Sequence, residues 1–255
     1  MTLNIIGIGL SDEKDITLKG LELVRNSDFV YLESYTSILQ CDISALEKLY
    51  NKKIILADRK LVEQEAEKTI LANAKTKNVS FLVIGDALSA TTHIDLIQRA
   101  REMKIKINIV HNASILIAVS ETGLQLYKFG KTTSIPFPEK NFQPETAYDV
   151  IKNNLKNDLH TLVLLDLRPN ENRFMTVNDA IKVLLEIESR RKEKIFTEKT
   201  GIVGCARLGS ENSAVKYGNA EKIMKVDFGK PPHCLIVPAK LHFAEEEFLS
   251  QFEKS

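Results

Sequence analysis

Ser80-Phe-Leu-Val-Ile-Gly-Asp-Ala-Leu-Ser-Ala-Thr-Thr-His93 is the stretch that decides the fold. Phe81 to Ile84 is an unbroken apolar run, as expected of a strand covered on both faces rather than one. Gly85-Asp86 stops it, and Thr91 or Thr92 then opens a helix expected over 92–103. A strand, a glycine turn and a hydroxyl-rich helix start form the local pattern of an α/β ligand site. Loops at the carboxyl ends of parallel strands make that crevice.

The same alternation extends to both sides. Strands are expected at 3–8, 29–32, 53–56, 80–84 and 105–110. Amphipathic helices are expected between them at 18–25, 45–50, 62–74 and 92–103. Strand–helix alternation of this kind gives a largely parallel sheet. The first domain is placed at 1–111 and a second α/β domain at 112–255, with a cleft between them. In the second, strands are expected at 132–136, 161–165, 201–206 and 234–237, and helices at 144–155, 177–190 and 243–252. Pro144 suits a first helical turn, and Thr176-Val-Asn-Asp179 is a capping box with Asp in the Glu position.

Composition narrows the function. The chain has 255 residues, 35 Lys and Arg against 34 Asp and Glu, and a formal net charge of +1. A balance this even argues against a direct nucleic-acid partner. Cys41, Cys205 and Cys234 form no paired framework, so free thiols in a reducing, cytoplasmic setting are expected. No apolar run approaches the ~18 residues of a membrane span. The five histidines show no ligand spacing, so no metal is expected.

Three glycine signals point in different directions. Gly7-Ile-Gly9 follows the first strand, but Asp12 stands where a dinucleotide fingerprint needs its third glycine. Gly130-Lys-Thr132 ends like a phosphate loop, yet Gln125 occupies the position of its first glycine. Gly85-Asp86 is left as the strongest ligand-loop candidate. Its competing explanation is helix capping alone.

Taken in order, the pieces are specific. They are Gly7-Ile-Gly-Leu10, Asp12-Glu-Lys-Asp-Ile-Thr17, Tyr31-Leu-Glu-Ser-Tyr-Thr-Ser37, Gly85-Asp86, Ala90-Thr-Thr-His93 and His111-Asn-Ala-Ser-Ile115. Gly123-Leu-Gln-Leu-Tyr-Lys-Phe-Gly130, His160-Thr-Leu-Val-Leu-Leu-Asp166, Ala206-Arg-Leu-Gly209 and Pro231-Pro-His233 follow. Over essentially its whole length the chain resembles the diphthine synthase family, a branch of the tetrapyrrole methylases, in its archaeal form. The resemblance implies two α/β domains with a cofactor cleft between them, S-adenosylmethionine as methyl donor with S-adenosylhomocysteine as product, and a homodimer. It implies translation elongation factor 2 as protein substrate, trimethylated on the amine of an aminocarboxypropyl-histidine in diphthamide biosynthesis. A fourth methyl on the carboxylate, or methylation of a tetrapyrrole carbon, are the alternatives within the same chemistry.

By the same resemblance Leu10, Asp86, Ser89, Ser114, Ile115, Leu165, Leu208 and His233 match cofactor-site positions, Ser89 through its backbone. Ser11 stands where the superfamily often has Gly, and Ala87 where it usually has Pro. No catalytic base is assigned. Glu33 and Asp86 are the candidate carboxylates.

Overall fold

The computed structural model describes residues 1–89, 93–139 and 142–253, which divide into two compact units, Met1–Ile115 and Leu116–Ser255. In the first, β1 (Thr2–Gly7), β2 (Phe29–Glu33), β3 (Ile54–Ala57), β4 (Asn78–Val83) and β5 (Lys106–Val110) form one sheet. Its order is β3-β2-β4-β1-β5, and every pairing is parallel. The helices are α1 (Leu18–Arg25), α2 (Ile43–Tyr50), α3 (Arg59–Glu63), α4 (Ile70–Ala74) and α5 (Ile94–Glu102).

Strand periodicity sorts the core into two layers. Leu3, Ile5, Tyr31, Val79, Phe81 and Val83 pack on one face with Val62, Ile70, Leu71, Leu96 and Ile97. Ile6, Ile8, Val30, Leu32 and Leu82 pack on the other with Val24, Leu46 and Tyr50. Odd and even residues thus serve opposite faces, which is why these strands carry no polar alternation.

One expected helix is not continuous. The stretch 62–74 holds the end of α3, a 3-10 turn at Ala66–Lys68 and then α4. Thr69 separates the last two with φ −123° and ψ −91°, outside helical geometry. Apolar spacing survives across such a break because Val62, Ala66, Ile70 and Leu71 all face the same layer. Ala90, Thr91 and Thr92, and with them the expected threonine start of α5, lie outside the described residues.

After a short helix, α6 (Ile115–Ala118), the second unit contains β6 (Thr133–Ile135), α7 (Thr146–Lys156) and β7 (Thr161–Leu165). A two-stranded hairpin of β8 (Leu167–Arg168) and β9 (Arg173–Phe174) follows. Then come α8 (Val177–Arg191), β10 (Gly201–Ala206), β11 (Ala214–Asn219), α9 (Ala220–Ile223), β12 (His233–Val237) and α10 (Phe243–Leu249). The sheet order is β11-β10-β12-β7-β6, antiparallel except for β6 with β7. The capping box at Thr176 and Asp179 is present. Pro144 instead precedes Glu145, the N-cap of α7, and so lies outside the helix. Among the described residues no helix is long and apolar enough to cross a membrane.

Candidate functional site

In the first unit the chemistry gathers beyond the carboxyl ends of β1, β4 and β5. Gly9 and Gly85 both have φ of +84°, a conformation that costs other residues dearly. They form an isolated antiparallel bridge beyond the parallel strands. A β-carbon on Gly9 would lie 2.3 Å from that of Asp15, so this glycine is demanded by its own loop. One on Gly85 would meet Leu10, Ala113 and Ser114 only at 3.9 Å. Gly85 therefore faces a small space framed by two residues matched to the cofactor site.

Asp86 is the knot of this loop. Its Oδ1 accepts from the Leu88 amide and the Ser89 hydroxyl, each at 3.0 Å. Its Oδ2 accepts from the Asn112 amide at 3.0 Å and His111 Nδ1 at 2.8 Å. Burial alone would raise this carboxyl, but the four donors outweigh it and hold the group below its ordinary value. Ser89 commits its hydroxyl to Asp86, which leaves its backbone for any ligand. Asn112 completes the knot by donating to the carbonyls of Gly7 and Asp15, both at 3.0 Å, and accepting from the Ala113 amide at 2.7 Å.

Ser114 is buried, and its Oγ has no hydrogen-bond partner. A stranded buried hydroxyl is costly, so a polar ligand on this atom would remove the penalty. Ile115, next to it, is half-buried at the start of α6. His93 is also buried, packed edge-on to Phe81 at 5.1 Å. Burial pushes its imidazole down to about 4, against the opposing influence of the Ala87 backbone, so it is neutral at physiological pH.

Glu33 ends β2 and is fully buried. It accepts from the amides of Tyr35 and Thr36 at 2.7 and 2.6 Å and from the Thr36 hydroxyl at 2.6 Å. Burial raises its carboxyl despite these donors. It holds a turn and meets no solvent.

The second unit places its three matched residues at strand ends. Leu165 is the last residue of β7 and is buried. Leu208 is buried between Arg207 (φ +52°) and Gly209 (φ +85°), both left-handed. Arg207 fixes this turn by donating to the carbonyls of Asn212 at 3.0 Å, Phe228 at 2.8 Å and Lys230. His233 opens β12, one residue earlier than expected. Its Nε2 faces the carbonyls of Gly229 and Lys230 at 3.2 and 3.1 Å. Carbonyls only accept, so Nε2 carries the proton and Nδ1 is a bare acceptor. That Nδ1 is buried and has no partner. Burial, ahead of every other influence, holds the ring below its ordinary value and therefore neutral.

Asn112 and Arg207 are structural neighbours of these residues to which the sequence assigned no role. Both lie inside the quoted motifs, and motif membership was the available signal. Among the described residues no group of His, Cys, Asp or Glu could hold a metal ion.

Comparison with known proteins follows this geometry. The family model for tetrapyrrole (corrin/porphyrin) methylases matches residues 2–223. The chain is 48% identical over 250 residues to the diphthine synthase of Methanocaldococcus jannaschii, covering 97% of each. It is 44% identical over 269 residues to the diphthine methyl ester synthase of Dictyostelium discoideum, covering 99% of this chain and 98% of that protein. A crystal structure of diphthine synthase superposes with a TM-score of 0.91 at 38% identity, covering 99% of this chain and 96% of that one. The chain belongs to the tetrapyrrole methylase family, and within it to the diphthine synthases.

Proposed function

We propose that this methyltransferase draws its methyl groups from S-adenosylmethionine. Its substrate would be the amine of the aminocarboxypropyl-histidine of translation elongation factor 2, in the cytoplasm, ending at the trimethylammonium. The observation that carries this reading is the stranded Ser114 hydroxyl beside the space that Gly85 faces. These features fit a ligand of mixed apolar and polar surface. Leu10, Asp86, Ser89, Ser114 and Ile115, with Leu165, Leu208 and His233, are the proposed cofactor contacts. The bare Nδ1 of His233 suits a donating N–H.

Bound there, the cofactor supplies a methyl already activated on a sulfonium. The protein's own work is then positioning and exclusion of water. Leu10, Leu165 and Leu208 offer apolar walls. Asp86, through Asn112 and its bonds to Gly7 and Asp15, fixes the loop that carries Leu10. The amine must lose a proton before each transfer. Glu33 is sealed inside its turn and Asp86 already accepts four hydrogen bonds, so both are positioning residues, and the proton leaves to water. A homodimer is part of the same proposal, and light scattering at twice the chain mass is its expected signature.

The purified protein should transfer labelled methyl from S-adenosylmethionine to elongation factor 2 that carries the aminocarboxypropyl group. Label in a small tetrapyrrole instead, or in neither, would overturn the reading.

A further inference from the structure

We propose that Arg173 anchors the carboxylate of the amino-acid side chain that receives the methyl groups. The inference rests on the function proposed above and adds a substrate contact to it. The hairpin of β8 and β9 leaves β7 directly after Leu165 and Asp166. It is closed by the Met175 amide, which donates to the Asp166 carbonyl at 2.9 Å. Register sets Arg168 opposite Arg173 on this hairpin, yet the two are used differently.

Arg168 is spent on carboxylates: Glu139 at 2.8 Å, Asp166 at 3.3 Å and Glu171 at 3.8 Å. The other arginines of the second unit are also occupied. Arg190 and Arg191 pair with Glu145, Asp149 and Glu193, and Arg207 donates to three carbonyls. Arg173 alone among them has no acceptor among the described residues. Its guanidinium lies over the Phe137 ring, 3.8 Å from the centroid, and the residue is exposed. Phe137 is itself buried and tied to Asp166 by its amide at 3.0 Å.

A guanidinium stacked on a ring has a fixed plane, and its N–H edge is left free to donate. That is the geometry for two parallel hydrogen bonds to a carboxylate. The substrate class demands such a partner. An α-amino acid presents its carboxylate beside the amine that is methylated, and the exposed, unspent guanidinium fork of Arg173 is a partner of matching charge and shape for it.

The test is Arg173→Gln and Arg173→Lys in the full chain, assayed on elongation factor 2 bearing the aminocarboxypropyl-histidine. Arg173→Gln should raise KM for the factor by about tenfold or more, as expected for a lost charge-assisted contact. S-adenosylhomocysteine affinity by calorimetry and the melting temperature should not move. Arg173→Lys should recover part of the loss, because it restores charge but not the fork. A KM within twofold of wild type in Arg173→Gln would overturn the inference while the proposed function stands. A joint fall of cofactor affinity, melting temperature and rate would also overturn it, by showing a structural role. If the wild-type protein transfers no methyl to the factor, the proposed function fails and this inference falls with it.

Discussion

Gly9 and Gly85 hold each other by two backbone hydrogen bonds, Gly9 N to Gly85 O at 3.2 Å and Gly85 N to Gly9 O at 2.6 Å. This single antiparallel rung beyond the parallel strands locks the loops that follow β1 and β4 together. Both residues need positive φ, but they differ in what surrounds them. Gly85→Ala would place a methyl in the space between Leu10 and Ser114. The strain is about 1–2 kcal/mol, so the variant should fold. Its affinity for S-adenosylhomocysteine should fall at least about tenfold, which corresponds to 1.4 kcal/mol. Gly9→Ala would drive its β-carbon into Asp15, which holds the Leu10 and Ser11 amides at 3.1 and 2.7 Å. That variant should lose melting temperature first. Calorimetry and thermal melting separate the two.

Asp86→Asn exchanges an acceptor of four hydrogen bonds for an amide that turns a donor toward donors. The expected loss is about 2–3 kcal/mol, seen as a drop of about 4–12 °C in melting temperature. The pH dependence has a definite sign. The folded carboxyl is held below its ordinary value of 3.8. Its contribution is therefore complete above that value and is lost as pH falls through the lower folded one. Melting temperature against pH should show a shallower acid limb in Asp86→Asn than in wild type. Parallel limbs would show that the four donors do not depend on the charge.

The parallel sheet of the first unit was legible because Phe81 to Val83 lies in its central strand, β4, and is buried from both sides. The second sheet was harder. β11 is half-buried along its whole length, and Lys216 and Gly218 blur any alternation, so it was missed. The hairpin at 167–174 was invisible for a different reason. Each strand has two residues, too few for a period, and its turn depends on Asn172 at φ 48°. Of the site, the glycine loop and matched positions were readable in order along the chain. The knot made by Asp86, Ser89, His111 and Asn112 was not, because only folding brings residues 86 and 112 together. The same limit applies to the tautomer of His233, which is set by two carbonyls of its own loop.

A buried cluster in the second unit should dominate acid stability. His160 is fully buried. Its Nδ1 accepts from the Ala239 amide at 3.0 Å and its Nε2 donates to Glu245 at 3.0 Å. Glu245 also binds Lys128 at 2.6 Å and the amides of Gln125 and His242 at 2.9 and 2.8 Å. Burial would raise this carboxyl, but the donors hold it at about 2. Its stabilisation is complete above its ordinary value of 4.5 and disappears as pH falls toward 2. Burial, against the pull of Glu245, lowers His160 below 6.5, so the unfolded chain takes up its proton first and stability already declines below that pH. Glu245→Gln should melt earlier at pH 7 and lose little more between pH 4.5 and 3. A wild-type acid limb retained in that variant would place the sensitivity elsewhere.

The relatives carry two names, diphthine synthase and diphthine methyl ester synthase, and the number of methyls added is the prediction that decides between them for this chain. The alignment to the diphthine methyl ester synthase of Dictyostelium discoideum runs over 269 positions, against 255 residues here, so that protein carries residues this chain lacks. In this chain Leu167 to Arg173 spans the gap between β7 and α8 as a closed hairpin. Leu167 pairs with Phe174, and the Asn172 amide donates to the Pro169 carbonyl at 3.0 Å. Nothing longer bridges Asp166 and Met175, which are themselves joined by a backbone hydrogen bond. Chemistry supplies a natural stop after three transfers, because a quaternary nitrogen has no lone pair. A fourth would need the carboxylate turned toward the same sulfonium carbon. We expect mass spectrometry of the modified factor to show three methyl increments that resist mild base. A fourth increment removed by mild base would reveal an ester and assign the chain to the ester-forming reaction, leaving its fold and methyl donor unchanged.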